Sequence, residues 1–261
     1  MDLSGKKFYE LTTEERLAQV ARQAGLSQEE AAALSGAAGL SLEQADHMIE
    51  NVIGTYSLPL GIAQNFIVNG QPRLVPMVVE EASIVAGASF MAKLAQAGGG
   101  FRAATTAPEM IGQMQVLDVA DFETARRKLL ESKPHLLQAA AEVDSMLVSL
   151  GGGPRDLEVR WLADSPIGPF LVVHLIYDVR DAMGANAVNT ACERLAPLVE
   201  QITGGRVLLR ILSNLADRRL ARASCRIPVA TLADFDLPGE AIAEGIVQAS
   251  RFAQADPYRA A

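Results

Sequence analysis

Between residues 108 and 217 the apolar segments follow one another in an order that few folds accommodate. Two helical segments separate the first strand-like run from a pair of such runs joined by a turn, and another helical segment precedes the last run. This β-α(α)-β-β-α-β order predicts a split β-α-β, ferredoxin-like domain that is not a Rossmann domain. The predicted strands are Gly112 to Val119, Leu157 to Trp161, Phe170 to Val179 and Arg206 to Leu212, and the predicted helices are Asp121 to Lys133, Pro134 to Leu150 and Ala185 to Gln201.

The segments on either side of this small domain predict a larger, helix-rich domain. Residues 1–107 and 218–261 are expected to form that domain, and residues 108–217 are expected to interrupt it. Within the larger domain, Ile62 to Val68 and Leu74 to Val79 predict a hairpin. The second run is apolar on both faces, which predicts a buried strand. The expected fold class is therefore α+β.

Charge and composition exclude several classes of function. The chain has 31 acidic and 23 basic residues and a formal charge of −8, which argues against nucleic-acid binding. Cys192 and Cys225 are far apart, as in reduced intracellular proteins, and the three histidines are scattered, so no metal site is expected. No run approaches the roughly 18 apolar residues of a membrane span. We therefore expect a cytoplasmic protein that binds small molecules and no membrane.

Phosphate-binding loops of the common kinds are absent from the sequence. It contains no GxGxxG, Walker A or GxSxG pattern. The glycine-rich stretches Ala97 to Phe101 and Leu150 to Pro154 each follow a helical segment, which favours helix C-caps over phosphate loops. His174 lies within a predicted strand and is interpreted as a packed histidine.

The stretch from Asp181 to Asn189, DAMGANAVN, joins a strong predicted strand to a predicted helix. A helix N-terminus offers free N–H groups that can bind an anion, and Gly184 allows the backbone to approach a ligand closely. A polar cap packed against its own sheet is the alternative interpretation.

Two adjacent carboxylates, Glu80 and Glu81, occur in the stretch VVEEAS, where a predicted strand meets a helix that begins at Ser83. The positive end of the helix would lower the pKa of a carboxyl group there, whereas burial against the strand would raise it. A buried carboxyl group could act as a general acid, and a solvated charge is the alternative.

Several of these stretches together resemble 3-hydroxy-3-methylglutaryl-coenzyme A (HMG-CoA) reductase, specifically the bacterial class II enzymes. The matching residues extend almost from end to end of the chain, in the order found in the family. They are Glu50 to Gly54 (ENVIG), the VVEEAS stretch, Asp181 to Asn189, Ile211 to Asp217 (ILSNLAD) and Asp256 to Arg259. The resemblance implies interconversion of HMG-CoA with mevalonate and coenzyme A, by two hydride transfers with a nicotinamide cofactor. It also implies a large substrate domain interrupted by a small, non-Rossmann nucleotide domain.

The resemblance assigns roles to residues of both domains. It implies that Glu81 is the catalytic acid and that Ser83, Asn214 and Arg259 contact the substrate, with the guanidinium suited to a carboxylate. It places the cofactor on Asp144, Asp181, Met183, Gly184, Ala185 and Asn186. An acidic Asp144 at the adenosine ribose would repel a 2′-phosphate, so NAD is expected rather than NADP. The ENVIG segment implies at least a homodimer.

Family members continue after the match to DPYRAA with segments that carry a catalytic lysine, aspartate and histidine. The 261-residue sequence does not contain these segments. Without the lysine, a loss of roughly hundredfold or more in rate is expected, so the isolated chain is expected to be inactive. Three interpretations follow: a fragment of a complete reductase, one half of a split enzyme, or a homologue that only binds NAD or coenzyme A. Apolar surface is expected on the helical segments Ser83 to Gln96 and Pro238 to Ala255.

Overall fold

A computed structural model describes residues 7–36, 39–234 and 236–260. The described residues form two compact units. The larger unit contains residues up to Arg102 together with those from Ser224 onward, and the smaller unit contains Ala103–Ala223. The sequence-based boundaries, 108 and 217, lie a few residues inside the smaller unit.

The larger unit begins with helices and continues with a hairpin and one long helix. Capping boxes begin the first three helices, in which a Thr or Ser side chain accepts from the third helical N–H and a Glu or Gln returns a bond. The elements are α1 (Thr13–Ala24), α2 (Gln28–Leu34), α3 (Leu42–Asp46), β1 (Leu60–Val68), β2 (Gln71–Val78), α4 (Ile84–Gln96) and β3 (Phe101–Thr105).

The strands of the smaller unit occur in the predicted order, but the single helix predicted from Pro134 to Leu150 was wrong, because Asp144 leaves the helical conformation and caps a separate helix. The strands and helices of this unit are β4 (Glu109–Leu117), α5 (Phe122–Glu131), α6 (Lys133–Ala141), α7 (Ser145–Ser149), β5 (Gly153–Leu162), β6 (Phe170–Asp178), α8 (Ala185–Thr203) and β7 (Arg206–Leu212). The chain then returns to the larger unit through β8 (Ala221–Cys225), α9 (Gly239–Ala255) and α10 (Pro257–Ala260).

The hairpin of the larger unit is confirmed, but its second strand is not buried. Asn69 and Gly70 both have positive φ, 52° and 77°. Two consecutive residues with positive φ form the two-residue hairpin turn whose twist matches that of the flanking strands. The sheet order is β2-β1-β3-β8, so β2 lies at an edge. The prediction of a buried strand was wrong because Pro72 and Pro76 donate no ladder hydrogen bond and are tolerated at an edge, where Val78 remains 56% exposed.

The smaller unit has an extensive core between one sheet and its helices. The sheet order is β5-β6-β4-β7, with every neighbouring pair antiparallel. Alternate residues of β6, among them Leu171, Leu175 and Tyr177, are fully buried against the helices. At Gly112 a Cβ atom would lie only 2.3 Å from Cys192 Sγ, so glycine lets α8 cross β4 closely. Burial raises the pKa of the Cys192 thiol to about 12.

Apolar side chains on two helices of the larger unit are exposed, as the sequence predicts for the segments around α4 and α9. On α4, Phe90 is 59% exposed, and on α9, Ile246 and Phe252 are 52% and 54% exposed. Exposed apolar groups of this size on neighbouring turns of a helix are typical of surfaces that contact other protein segments.

Candidate functional site

The joint between β2 and α4 carries Glu80, Glu81 and Ser83. Ser83 has φ of +70°, a left-handed conformation that costs a residue with a Cβ atom roughly 1–2 kcal/mol. Its hydroxyl does not cap the helix, whereas its carbonyl accepts from Gly87 N at 2.8 Å. Such strain is concentrated at functional positions. The Ser83 hydroxyl is therefore available to a ligand at the start of α4.

Glu81 is exposed and makes no hydrogen bond or ion pair with another described residue. The sequence-based expectation was that this carboxyl group would be desolvated between strand and helix. The described part of the chain does not supply that burial, because β2 is an edge strand and the joint lies outside its sheet.

Arg259 lies in the same unit as Glu81, on the short helix α10. Asp256 separates α9 from α10, and its carboxylate accepts from Tyr258 N at 3.0 Å. The Arg259 side chain is exposed and pairs with no described carboxylate. Its five N–H donors are therefore free for an anionic ligand.

The end of β6 holds a buried ionic group that precedes the predicted cofactor turn. Asp178 is only 4% exposed, and its carboxylate accepts from Arg155 Nη2 at 2.8 Å and from Arg180 N at 3.0 Å. Burial alone would raise the pKa of Asp178, but these hydrogen bonds and the two guanidinium groups hold the pKa below its usual value. This residue was not predicted from the sequence, although an aspartate at the end of a mostly apolar strand was a usable signal.

The turn from Asp181 to Gly184 precedes the N-terminus of α8, where Gly184 is the N-cap residue. Gly184 has φ of +93°, and a Cβ there would lie 2.6 Å from Met110 Sδ and 2.7 Å from Val179 Cγ1. Ala185 N donates to the thioether Sδ of Met183 at 3.4 Å, and Asn186 N and Ala187 N have no acceptor among the described residues. No Asp, Asn, Ser or Thr side chain of the described residues caps the helix, so two N–H groups at this terminus are available to an anion.

Asn214 lies in the segment after β7, in the same unit as this turn. Ser213 N donates to Ile111 O at 2.7 Å, which ties the segment to β4. Leu212 N donates to Asn189 Oδ1 at 2.8 Å, which ties β7 to α8. The structure thus joins the elements that carry the Asp181–Asn186 residues and Asn214, and leaves the Asn214 side chain exposed.

Asp144 is the N-cap of α7, and its Oδ1 accepts from Leu147 N at 2.8 Å. The glycines after α7 end the helix, as predicted, since Gly152 N donates to Leu147 O. A Cβ atom at Gly152 would lie 2.9 Å from both Asp178 O and Arg180 Cγ, so glycine permits a close approach of the two segments. The α7 segment therefore lies against the end of β6, where the turn of Asp181 begins.

His174 is packed within the sheet, as the sequence predicts. It is 8% exposed, and its Nε2 lies 2.9 Å from Gln113 Nε2, so the neutral ring nitrogen accepts from the amide. Burial, together with the charge of Arg160, lowers the pKa of His174. Among the described residues no group of three or more His, Cys, Asp or Glu side chains could hold a metal ion, and none of the described helices could span a membrane.

Comparisons with known proteins agree on one family. The family model for hydroxymethylglutaryl-coenzyme A reductase matches residues 12–261. The 3-hydroxy-3-methylglutaryl-coenzyme A reductase of Archaeoglobus fulgidus is 52% identical over 97% of the chain and 57% of the relative, so the chain spans little more than half of that protein. A probable reductase of Borreliella burgdorferi is 30% identical over 64% of the chain and 37% of the relative.

A solved structure shows the same fold. The class II 3-hydroxy-3-methylglutaryl-CoA reductase of Streptococcus pneumoniae, bound to NADPH, superimposes with a TM-score of 0.90 and 41% sequence identity. The match covers 99% of this chain and 69% of that one. The chain belongs to the hydroxymethylglutaryl-coenzyme A reductase family.

Proposed function

We propose that the protein takes part in the interconversion of HMG-CoA with mevalonate and coenzyme A, with a nicotinamide cofactor. The N-terminus of α8 carries this proposal, because the free N–H groups of Asn186 and Ala187 and the close packing of Gly184 fit a dinucleotide's phosphates. A structural relative that binds NADPH supports it. The bound cofactor would supply or accept the hydride.

The smaller unit is proposed to be a ferredoxin-like nucleotide domain inserted into the substrate domain. Its strand order, β5-β6-β4-β7 with antiparallel neighbours, is that expected of a split β-α-β arrangement. Asp181, Met183, Gly184, Ala185 and Asn186 would line the dinucleotide site at the start of α8. The Oδ2 of Asp144 has no described partner and would accept from a ribose hydroxyl.

The preference between NAD and NADP depends on Asp144. A carboxylate at the ribose favours NAD, because a 2′-phosphate would meet a like charge. The pneumococcal relative was solved with NADPH, which supports NADP. We retain NAD as the proposal on the basis of the free carboxylate oxygen, and substitution of Asp144 tests it.

In the larger unit, Glu81 is proposed as the general acid that protonates the oxygen of the reacting carbonyl. Ser83 would donate its uncommitted hydroxyl to the substrate, and Arg259 would pair with the substrate carboxylate through two N–H groups. Desolvation of Glu81 would then come from the substrate and from protein outside the described residues. We also propose a cytoplasmic protein and a homodimer; the homodimer is supported by Ile53 of the ENVIG segment, which is fully exposed.

Glu81→Gln tests this role, and Glu80→Gln is the matched control. In a longer native form of the protein that turns over, reduction of NAD or NADP that depends on mevalonate and coenzyme A is measured by the absorbance of the reduced nicotinamide. Loss of a general acid typically lowers kcat by about 10²- to 10⁴-fold, whereas loss of the neighbouring exposed charge should change it little. Equal rates for the two variants would contradict the assignment.

A binding protein without turnover is the competing function. Cofactor binding by calorimetry, together with an absence of turnover by both the 261-residue chain and any longer native form, would favour it. Turnover by the 261-residue chain alone would contradict the expectation that a lysine, an aspartate and a histidine from further segments are needed.

A further inference from the structure

Two consecutive arginines, Arg218 and Arg219, lie in the segment that carries Asn214, and they contact different elements of the smaller unit. Arg218 Nη2 donates to Glu158 Oε1 on β5 at 2.6 Å. Arg219 Nη2 donates to Ala182 O at 3.3 Å, and Arg219 Nη1 donates to Met183 O at 3.5 Å. One segment is thus bound both to the sheet and to the turn before α8.

The backbone on either side of these arginines is fixed at both ends. Ser213 N donates to Ile111 O at 2.7 Å, and Leu220 N donates to Thr106 Oγ1 at 2.9 Å. The Thr106 hydroxyl in turn donates to Arg218 O. Because the backbone is fixed at both ends of the segment, the position of Arg219 is restricted. Less conformational entropy is then lost when its side chain hydrogen-bonds to the turn.

Met110 connects the Arg219 guanidinium to the packing of Gly184. Arg219 Nη1 lies 3.7 Å from Met110 Sδ. The same sulfur would lie 2.6 Å from a Cβ at Gly184. The turn is therefore held both by the close packing of Gly184 on Met110 and by the hydrogen bonds of Arg219.

The two carbonyl groups held by Arg219 precede the anion-binding N-terminus of α8. Among the described residues, Arg219 is the donor to both oxygens. Unpaired carbonyl oxygens beside a phosphate site would repel the anion and leave the turn free to rearrange, whereas a guanidinium neutralises and orients them. Arg180 and Gly184, which bracket the turn, both have positive φ, 51° and 93°, so the conformation needs such support.

We infer that Arg219 is a positioning residue for the dinucleotide, because it fixes the Ala182 and Met183 carbonyls and so holds the turn in its binding conformation. This inference rests on the proposed function. It also links Asn214 to the turn, since Arg219 and Asn214 belong to one short segment. Arg219 itself is exposed, so its contribution is moderate.

The test compares Arg219→Ala and Arg219→Lys with Arg222→Ala in the full chain. Arg222 is an exposed arginine of β8 whose side chain makes no hydrogen bond or ion pair with another described residue, so it controls for loss of charge. Dissociation constants for NADH and NADPH are measured by fluorescence titration, and that for coenzyme A by calorimetry. Arg219→Ala should weaken the better-bound nicotinamide about fivefold, in line with loss of one modest hydrogen-bonding contribution.

Arg219→Lys should recover part of this affinity, and Arg222→Ala and the binding of coenzyme A should not change. If turnover is measurable, KM for the cofactor should rise while kcat at saturation is kept, which a general loss of folding would not produce. Equal cofactor affinity in Arg219→Ala and Arg222→Ala would overturn the positioning role alone. Failure of the unmodified protein to bind either nicotinamide would overturn the proposed function as well.

Discussion

Gly184→Ala should destabilise the smaller unit, and the structure separates two causes. At φ of +93° any residue with a Cβ atom pays roughly 1–2 kcal/mol in backbone strain. The added methyl group would also lie 2.6 Å from Met110 Sδ, 2.7 Å from Val179 Cγ1 and 2.9 Å from Val179 Cβ. Relief of such overpacking typically costs about 1–3 kcal/mol. The expected total is therefore roughly 2–5 kcal/mol.

Gly168→Ala is the matched control within the same unit. Gly168 has φ of +83°, but a Cβ there would have no heavy atom within 4 Å. Only the backbone term applies, so the expected loss is roughly 1–2 kcal/mol. The difference between the two variants measures the packing of Gly184 on Met110 and Val179.

Urea unfolding followed by far-ultraviolet circular dichroism gives both values from the shift in midpoint at a constant slope. Gly184→Ala should also weaken binding of the nicotinamide cofactor, because the turn before α8 must shift to admit the methyl group, whereas Gly168→Ala should leave cofactor binding unchanged. An equal loss of stability in the two variants would refute the reasoning from close packing.

Substitutions at two further positions, Asp144 and Asp178, test the smaller unit. Asp144→Asn keeps an N-cap for α7 and removes the charge, so the ratio of the dissociation constants for NADP and NAD should become smaller. Asp144→Ala also removes the N-cap, which should lower the free energy of unfolding by about 1 kcal/mol. An unchanged cofactor ratio in Asp144→Asn would contradict the assignment. Because the pKa of Asp178 is lowered in the folded state, its stabilisation is present above the usual carboxyl pKa and is lost as pH falls below it. Asp178→Asn should therefore lower the free energy of unfolding by more at neutral pH than at acid pH. A loss of unfolding free energy that does not change with pH would argue against this ion pair.

The order of the strands in the smaller unit was predictable because the signals for them are local. Phe170–Asp178 is an almost continuous apolar run, and such a run fits a central strand that is covered on both sides. Asn69 and Gly70 likewise determine their turn by their own preference for positive φ. The edge position of β2 was not predictable in this way, because it depends on which strands pair, and similar apolar patterns occur in central and edge strands.

The contacts that shape the cofactor turn were not predictable from local patterns. Arg219 is 36 and 37 residues from the carbonyls of Met183 and Ala182, and 109 residues from Met110. No periodicity or turn rule relates positions so far apart. The left-handed conformation of Ser83 was not predicted for a different reason: serine seldom adopts positive φ, so its residue type does not indicate that conformation.

The residues proposed to act in the two units differ in how completely the described structure positions them. Around the turn of Asp181, a buried Asp178, a close-packed Gly184 and the hydrogen bonds of Arg219 fix the geometry before any ligand binds. In the larger unit the side chains of Glu81 and Arg259 are both exposed, and Ser83 is strained at the start of α4. Pre-organisation reduces the entropy lost on binding, so cofactor affinity should depend mainly on residues of the smaller unit. The proposed acid catalysis by Glu81 instead requires that substrate or further protein exclude water from the joint between β2 and α4. Substitutions on the exposed face of α4 should therefore change the catalytic rate far more than they change cofactor affinity.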